Sequence, residues 1–568
     1  MHSHLTQFKK TITQGTKAKK SRILASLFSI LSVMRVWWQY FSMIGSCVLS
    51  TSLLAQSLAN LPGHAPFLPI DPTQSVVHSR LPIPVPMNPA KPDVLSLRSA
   101  VLLALHHNPE LQVAFNNRKL QRYDLAVAEE QFRPQFSLAS TLQYQNYQTD
   151  SATLPTSVGG NSNSRSQTTS GTLGPQIDWT LPLGTKISAN WNYNPSKQTG
   201  SIAGTDNHST TNTYTVTITQ PLLKNFGFAV NEVGLHNAQT NQIIDNLQLA
   251  DKVASTVSQI TTDYYAVVQA KASLNIAKAT LDQSKRTLFI RKNKLKAGQI
   301  SGTDVTQAQL DITTQQQAVV TAQQKYNTAR TTLMNDLGLP SNTVFKVDDK
   351  IDVQQIPASL QSAMPIAQKN NRTLKIALLQ HKIAQRNVLT SENDNRWELD
   401  LQLSTTKTRA STVYDDQFNT ISSNNIVTAN TVGLNLTIPL NHITMDQKSL
   451  STAIALENDQ ITLRNARRTL KSNLQTAIEN LHMQWNQLRT SQENLTLAKK
   501  NYHAAQIKFQ YGRIDAFTLS QQQQQLVTAQ NSVVSAKIAY LTQTIAYQKL
   551  LGTLLKQWHI KLEAKNHV

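Results

Sequence analysis

The residue types that usually perform catalysis or bind metals are present in this chain, but without the partners they need. His106 and His107 are adjacent, yet no cysteine or acidic residue stands near them at a metal-ligand spacing. The sequence contains one cysteine, Cys47, which excludes an internal disulfide and a cysteine-based metal cluster. It contains no nucleophile elbow, phosphate-binding loop or supported pair of carboxylates. The sequence therefore predicts a protein that is not an enzyme and has no cofactor or metal site.

The feature that organises the sequence is instead a pair of related stretches. The first begins at Lys294 (KLKAGQISGTDVTQAQLD) and the second at Lys508 (KFQYGRIDAFTLSQQQQQL). An offset of 214 residues, without gaps, places Gly298 on Gly512 and continues to the Leu-Gly pairs that end both stretches. A gapless match of this length indicates an internal duplication.

Each glycine follows a long run that lacks glycine and proline, and a second such run follows it, at 303–337 and 513–551. Each glycine therefore predicts the tip of an antiparallel helical hairpin. Asp304 or Ser301 can cap the helix after the first tip, and Asp515 or Thr518 can cap the helix after the second. The runs before the tips, 235–297 and 441–511, would form helices of about 95 and 105 Å. They are too long for ordinary globular helices and too polar for membrane helices.

The N-terminal part of the chain reads as a targeting segment followed by a linker. Within residues 1–59, Arg35 precedes an apolar run, and small residues at Ser57 and Ala59 predict cleavage after Ala59. Two alternatives stay open: the run is a transmembrane anchor, or Cys47 lies in a lipobox (IGSC) and is acylated. Residues 60–93 hold nine prolines in 34 positions and predict an extended linker.

Several segments alternate apolar and polar residues with period two, which predicts strands that have one apolar and one polar face. They are 135–147, a hairpin at 176–193 with a turn near Pro182, 213–221, 399–405 and 431–439. Residues 149–174 and 195–211 are rich in small polar residues and predict surface loops.

The whole plan occurs twice, as a short helix, strands, a very long helix, a tip and a second short helix. The repeats are 94–340, with its first helix (96–131) interrupted at Asn108, and 361–555; 341–360 is the linker between them and 556–568 a tail. An offset of 263 places Asn108 on Asn371, whereas an offset of 218 places Pro221 on Pro439. The difference, 45 residues, lies between 139 and 212, where the first repeat contains the hairpin 176–193.

Two short helices stacked end to end beside one long helix make a wall of uniform width. So few strands per chain cannot close a barrel, so several chains must contribute to it. The predicted fold class is therefore mainly α, with duplicated long antiparallel helical hairpins that form an α-helical tunnel. Strands from each chain are expected to build a shared membrane β-barrel in a cyclic oligomer.

Specific motifs support this architecture. The chain carries AVLLAL at 100–105 followed by Asn108-Pro109-Glu110-Leu111, QPLLKNFG at 220–227, LTIPL at 436–440 and both tip repeats. In their order and duplication these motifs resemble the TolC family of trimeric outer-membrane efflux channels. The resemblance covers about residues 94–555, which is most of the chain.

This resemblance implies a homotrimer with a β-barrel in outer-membrane lipid and a helical tunnel in the periplasm. It implies that the tips, marked by Gly298, Asp304, Gly512, Arg513 and Asp515, dock a periplasmic adaptor that links the channel to an inner-membrane transporter. Substrates would leave passively, as in an efflux pump or a type I secretion system.

The chain departs from the family pattern at two places. The family often has acidic residues six and nine positions after the second tip glycine, where this chain has Thr518 and Gln521. These two residues are candidates for lining the entrance, but they cannot form an acidic, cation-selective ring. The hairpin 176–193 exceeds the two strands per half of the family, and the sequence leaves open whether it joins the barrel.

Two other classes of protein fit parts of the sequence. The net charge of +21, from 54 Lys and Arg against 33 Asp and Glu, together with long helices, suits a coiled-coil protein that binds nucleic acid. The targeting segment and the alternating strands argue against it, and we expect no nucleic-acid partner. A periplasmic adaptor also has long hairpins, but the duplication of the whole chain favours the channel.

Overall fold

A computed structural model of the chain describes residues 94–150, 163–199, 206–340, 343, 345–348, 352–416, 419–440 and 443–560. The predicted targeting segment, Cys47, the cleavage site after Ala59 and the proline-rich linker lie outside the described residues.

In the described residues the first repeat has two short helices before the sheet, four long strands, a one-turn helix and the first helical hairpin. Its elements are β1 (Val94–Leu95), α1 (Leu97–His107), α2 (Pro109–Glu130), β2 (Gln135–Asp150), β3 (Asn163–Thr180), β4 (Lys186–Thr199), β5 (Asp206–Pro221), α3 (Phe228–Asn231), α4 (Val233–Lys296) and α5 (Gly302–Leu337).

The second repeat follows the same order with two long strands. Its elements are β6 (Lys346–Val347), α6 (Leu360–Asn370), α7 (Arg372–Asp394), β7 (Glu398–Asp416), β8 (Asn419–Thr437), α8 (Ile443–Gln510), α9 (Ala516–Leu550) and α10 (Leu554–Gln557). The predicted linker 341–360 includes β6, which pairs in parallel with β1. The predicted tail begins inside α10, and Ile560 is buried in the core of the first repeat.

In each repeat, the helix that leads to the strands begins where the helix that returns from the tip ends, beside the middle of the long helix. The side chain of Asn108 caps α2 by accepting from the Leu111 N–H at 3.0 Å, and its Nδ2 donates to the Asp336 carbonyl at the end of α5, 2.7 Å away. Gly338 (φ +69°) ends α5 against the His107 carbonyl, where a Cβ would overlap the backbone. The second repeat builds the same joint from Asn371, Leu374, Leu550, Gly552 and Asn370. The two repeats inferred from the sequence thus make equivalent hydrogen bonds at their joints.

Most of the apolar burial is concentrated at these joints. One cluster of buried residues gathers α1, the centre of α4 and the end of α5, and a second gathers α6, α8 and the end of α9. Along the chain's helical layer, α2 and α5 pack on α4, α4 packs on α7 and α9, and these pack on α8. The layer is therefore four helices wide.

The long strands form one antiparallel sheet in the order β2-β3-β4-β5-β7-β8. The hairpin predicted at 176–193 is part of this sheet, as strands β3 and β4. In the predicted loops 149–174 and 195–211 the described residues are strand, so the loop prediction was wrong there, while 151–162 and 200–205 lie outside the described residues. The strands predicted at 399–405 and 431–439 are present but longer, at 398–416 and 419–437. The sequence does not reveal these extensions because Ser, Thr and Asn occupy both faces of the strands there, while the backbone hydrogen bonds between strands continue.

Candidate functional site

The sheet has two chemically different faces, which the pairing register makes visible. One row of directly opposed residues crosses all six strands and is polar throughout: Gln135, Asp178, Ser188, Thr217, Ser404 and Thr431. The next row, on the opposite face, crosses β3 to β8 and is apolar throughout: Trp179, Ile187, Ile218, Leu403 and Val432. In a single chain, Phe136 and Val432 are 73% and 75% exposed. An apolar face outside and a polar face inside is the pattern of a transmembrane β-barrel wall.

No helix among the described residues combines the length and apolar character of a membrane-spanning helix.

At the other end of the long helices, the two tips have the same backbone geometry. Gly298 (φ +66°) and Gly512 (φ +69°) adopt the left-handed conformation. The N–H groups of Gln299 and Arg513 bond back to the carbonyls of Lys294 and Lys508, both at 2.9 Å. Each glycine thus closes a helix in a Schellman motif, which turns the chain sharply into the next helix.

The acidic residues at the tips cap helices. Ser301 and Asp304 form a capping box at the start of α5, in which the Asp304 carboxylate accepts from the Ser301 N–H at 3.1 Å. Asp515 caps α9 by accepting from the Thr518 N–H at 2.9 Å, and hydrogen bonds from the Thr518 side chain and backbone lower the pKa of this carboxyl. Thr518 therefore lies in the first turn of α9, and Gln521 is exposed one turn later.

A buried arginine joins the two tips within one chain. Arg291, on the last turns of α4, is only 1% exposed. Its Nη1 donates to the Asp304 carbonyl at 3.2 Å and its Nη2 donates to the Ala516 carbonyl at 3.3 Å. Burial lowers the pKa of the guanidinium, while Asp311 and Asp304 act in the opposite direction. Arg291 therefore holds the start of the second tip helix against the first hairpin.

Further contacts strengthen this connection. The Lys294 Nζ lies 5.0 Å from the ring centre of Phe509, and the guanidinium of Arg291 lies 5.6 Å from it, both within cation–π range. The Ser520 hydroxyl donates to Asp311 at 2.8 Å. Towards the middle of the helices, α4 and α9 are linked by side-chain hydrogen bonds between Gln269 and Ser535 and between Ser273 and Asn531.

Comparison with known proteins decides the family. The model of the outer membrane efflux protein family matches residues 186–339 and 363–553, together more than half of the chain. The chain belongs to this family. No protein of curated function matches the sequence.

Solved structures agree with this assignment at the level of fold. The outer membrane protein VceC of Vibrio cholerae is 12% identical, with a TM-score of 0.58 over 80% of this chain and 96% of that one. The Campylobacter jejuni CmeC outer membrane channel is 13% identical, with a TM-score of 0.58 over 83% and 90%. The open state of the Neisseria gonorrhoeae MtrE outer membrane channel is 14% identical, with a TM-score of 0.57 over 81% and 89%. The resemblance to TolC-like channels and the predicted fold class are confirmed.

Family membership decides between the classes that the sequence left open. This outer membrane efflux protein is a transport protein and not an enzyme, as predicted. The interpretations as a nucleic-acid-binding coiled coil and as a periplasmic adaptor were wrong. The assigned location is the outer membrane.

Sequence reasoning missed the residues that join the tips of this efflux protein. A signal existed: under the 214-residue offset, Arg291 falls on Ala505 and Asp311 falls on Gln525. A buried cation and its acid thus occur in one repeat only, where the two repeats otherwise correspond. Two exposed aromatic residues at the second tip, Tyr511 and Phe517, also have no aromatic counterpart at the first.

Proposed function

We propose that three copies of this chain form a passive exit channel, with a barrel in the outer membrane and a helical tunnel in the periplasm. The observation that carries the proposal is the two-faced sheet at one end of helices that are 64 and 68 residues long. At about 1.5 Å per residue such helices extend about 100 Å from the membrane, enough to cross much of a periplasm. The apolar face would contact lipid and the polar face would line the water-filled bore.

The channel is tested by recording from the purified protein in planar lipid bilayers. The expected result is a stepwise conductance from a species that runs as a trimer in native mass spectrometry. A protein that stays monomeric in both lipid and detergent and shows no conductance in the bilayer contradicts the proposal.

We further propose that the tips dock a periplasmic adaptor, which connects the channel to an energy-supplying inner-membrane transporter. At the second tip Tyr511 is 76% exposed and Phe517 is 67% exposed, beside the exposed cation Arg513. Exposed aromatic residues next to an arginine have the composition of an interface hot spot. Asp304, Gly298, Gly512 and Asp515 contribute by fixing the shape of the two tips.

The docking surface is tested by a photo-crosslinking amino acid at Phe517, with Phe289 as the matched control position. Phe289 is also 67% exposed, but it lies on α4 about two turns before the first tip. Crosslinks to an inner-membrane-anchored adaptor are expected at Phe517 and not at Phe289. The double variant Tyr511→Ala/Phe517→Ala should weaken binding of that adaptor by at least about 30-fold, since a hot-spot side chain is worth about 2 kcal/mol or more. Equal crosslinking at both positions would remove the second tip as the docking surface.

Efflux of small molecules and type I secretion of proteins both use an exit channel of this kind. Deleting the gene and measuring drug and metal sensitivity alongside the secreted proteins separates them. Increased sensitivity with an unchanged set of secreted proteins identifies efflux, and loss of a secreted protein identifies secretion.

A further inference from the structure

We infer that the β3–β4 hairpin is part of the lipid-facing wall and that the assembled barrel contains 18 strands, six from each of three chains. This inference rests on the proposed trimeric channel. The second repeat supplies two strands, β7 and β8, whereas the first supplies four. A hairpin in the wall makes the barrel half again as large as two strands from each repeat would.

The hairpin follows the same inside–outside pattern as the other strands. Trp179 and Ile187 stand in the apolar row, directly opposite each other and next to Ile218 of β5. Asp178 and Ser188 stand in the polar row on the other face. A hairpin that folded aside into water would not need an apolar face in register with the rest of the sheet.

The turn of the hairpin is fixed at the junction between sheet and helices. Gly184 has φ +99°, and a Cβ there would overlap the carbonyl oxygen of Asn225. The Gly227 N–H donates to the Leu183 carbonyl at 3.0 Å. The Trp179 Nε1 donates to the Phe132 carbonyl, at the end of the first short helix, 2.9 Å away. These contacts fix the turn of the hairpin at the junction between sheet and helices, where the neighbouring strands also end.

The two edges of the sheet fit one occupant, a second copy of the chain. Strands β2 and β8 are 16 and 19 residues long, and among the described residues each pairs with one neighbour in the sheet. Long apolar edges of this kind require a partner. Direction alternates along the whole order, so β8 of one copy would lie antiparallel to β2 of the next, and the alternation would continue around a closed ring.

The size of this ring matches the helical layer. With strands about 4.8 Å apart and tilted by about 40°, 18 strands give a backbone radius of about 18 Å, and 12 strands give about 12 Å. Three layers of four helices, at axial separations of about 9.5 Å, give a radius of about 18 Å. The larger barrel thus continues the tunnel without narrowing, and the tips, not the outer end, would set the size limit for cargo.

Spin-label accessibility in the full-length protein, reconstituted in lipid with Cys47→Ser, tests the inference. Labels at Ile187→Cys and Ser188→Cys report on β4, and labels at Ile218→Cys and Thr217→Cys report on β5 as the matched control. In both strands we expect the first label to be more accessible to oxygen in lipid and the second to a water-soluble nickel complex.

Alternation in β5 with water accessibility at both β4 positions would overturn the inference and leave the proposed channel intact. Absence of alternation in both strands would instead refute the proposed membrane barrel. Ala189→Cys and Asn190→Cys provide a second β4 pair if either of the first variants does not fold. Electron cryomicroscopy of the same sample should show threefold symmetry with 18 strands, and a closed ring of 12 would overturn the inference.

Discussion

Replacing Arg291 with methionine should loosen the connection between the two tips while leaving the fold intact. Methionine keeps an unbranched apolar stem in the buried site but removes both hydrogen bonds to the Asp304 and Ala516 carbonyls. The second of these bonds is the direct contribution of Arg291 to the link between the first hairpin and the start of α9.

The expected magnitude follows from two opposing contributions. A hydrogen bond from a charged donor contributes about 1.5–3 kcal/mol. A buried guanidinium costs several kcal/mol in lost hydration, and the lowered pKa of Arg291 reflects that cost. For global unfolding the two contributions largely cancel, so the midpoint of denaturant unfolding should change little in Arg291→Met. Local separation of Ala516 from Arg291 loses the bond alone and should become easier by about 1.5–3 kcal/mol, or about 10- to 100-fold.

Hydrogen exchange measured by mass spectrometry tests this expectation on peptides that cover 301–306 and 514–520. Both should exchange about 10- to 100-fold faster in Arg291→Met, and peptides at the Asn108 joint should not change. Arg286→Met, which removes an exposed cation from the same helix, is the control. Unchanged exchange at the tips, or an equal increase in Arg286→Met, would refute the assignment of Arg291 as the link. In planar bilayers, channels of the Arg291→Met variant should open more often than those of the unmodified protein.

Two further predictions concern the joint and its surroundings. Gly338→Ala should lower the melting temperature more than Gly298→Ala, because both glycines have positive φ, at a cost of about 1 kcal/mol, but only at Gly338 would the Cβ overlap His107; equal effects would show that the close approach is unimportant. Burial raises the pKa of Asp263 to about 7, together with a hydrogen bond that its protonated carboxyl donates to the Asp336 carboxylate, so the folded state keeps a proton that the unfolded state loses above the ordinary pKa of 3.8. Stability should therefore fall as pH rises from about 4 to 7, and denaturant titrations of Asp263→Asn should show a smaller fall.

The helical part of the fold was predictable because the residues that begin and end its helices act locally. Gly298 and Gly512 end helices through their own backbone conformation, and Asn108 and Asn371 cap helices within three residues. Such signals do not depend on distant parts of the chain. Their repetition at fixed offsets made the duplication visible as well.

The sheet and the tip contacts were less predictable because they depend on distant partners. The strand β8 begins twelve residues before the predicted 431, since its Ser, Thr and Asn residues carry no apolar alternation and are held by pairing with β7. Arg291 and Ala516 are 225 positions apart, and neither residue is unusual in its local sequence. Only the missing counterpart of Arg291 in the second repeat distinguishes it.

The two repeats agree where the wall must be uniform and differ where the protein meets other molecules. At the joints, Asn108 and Asn371 make the same contacts with the helix that returns from the tip. A ring built from alternating repeats can close only if neighbouring units pack alike, so this part cannot diverge freely. The ends face lipid, solvent and partners, and there Arg291, the second-tip aromatic residues and the extra hairpin break the symmetry. Variants at the joints should therefore reduce the yield of assembled trimer, whereas variants at the ends should change conductance or partner binding in trimers that still form. Native mass spectrometry combined with bilayer recording separates the two outcomes, and a joint variant such as Asn371→Ala that assembled normally but conducted differently would contradict this division.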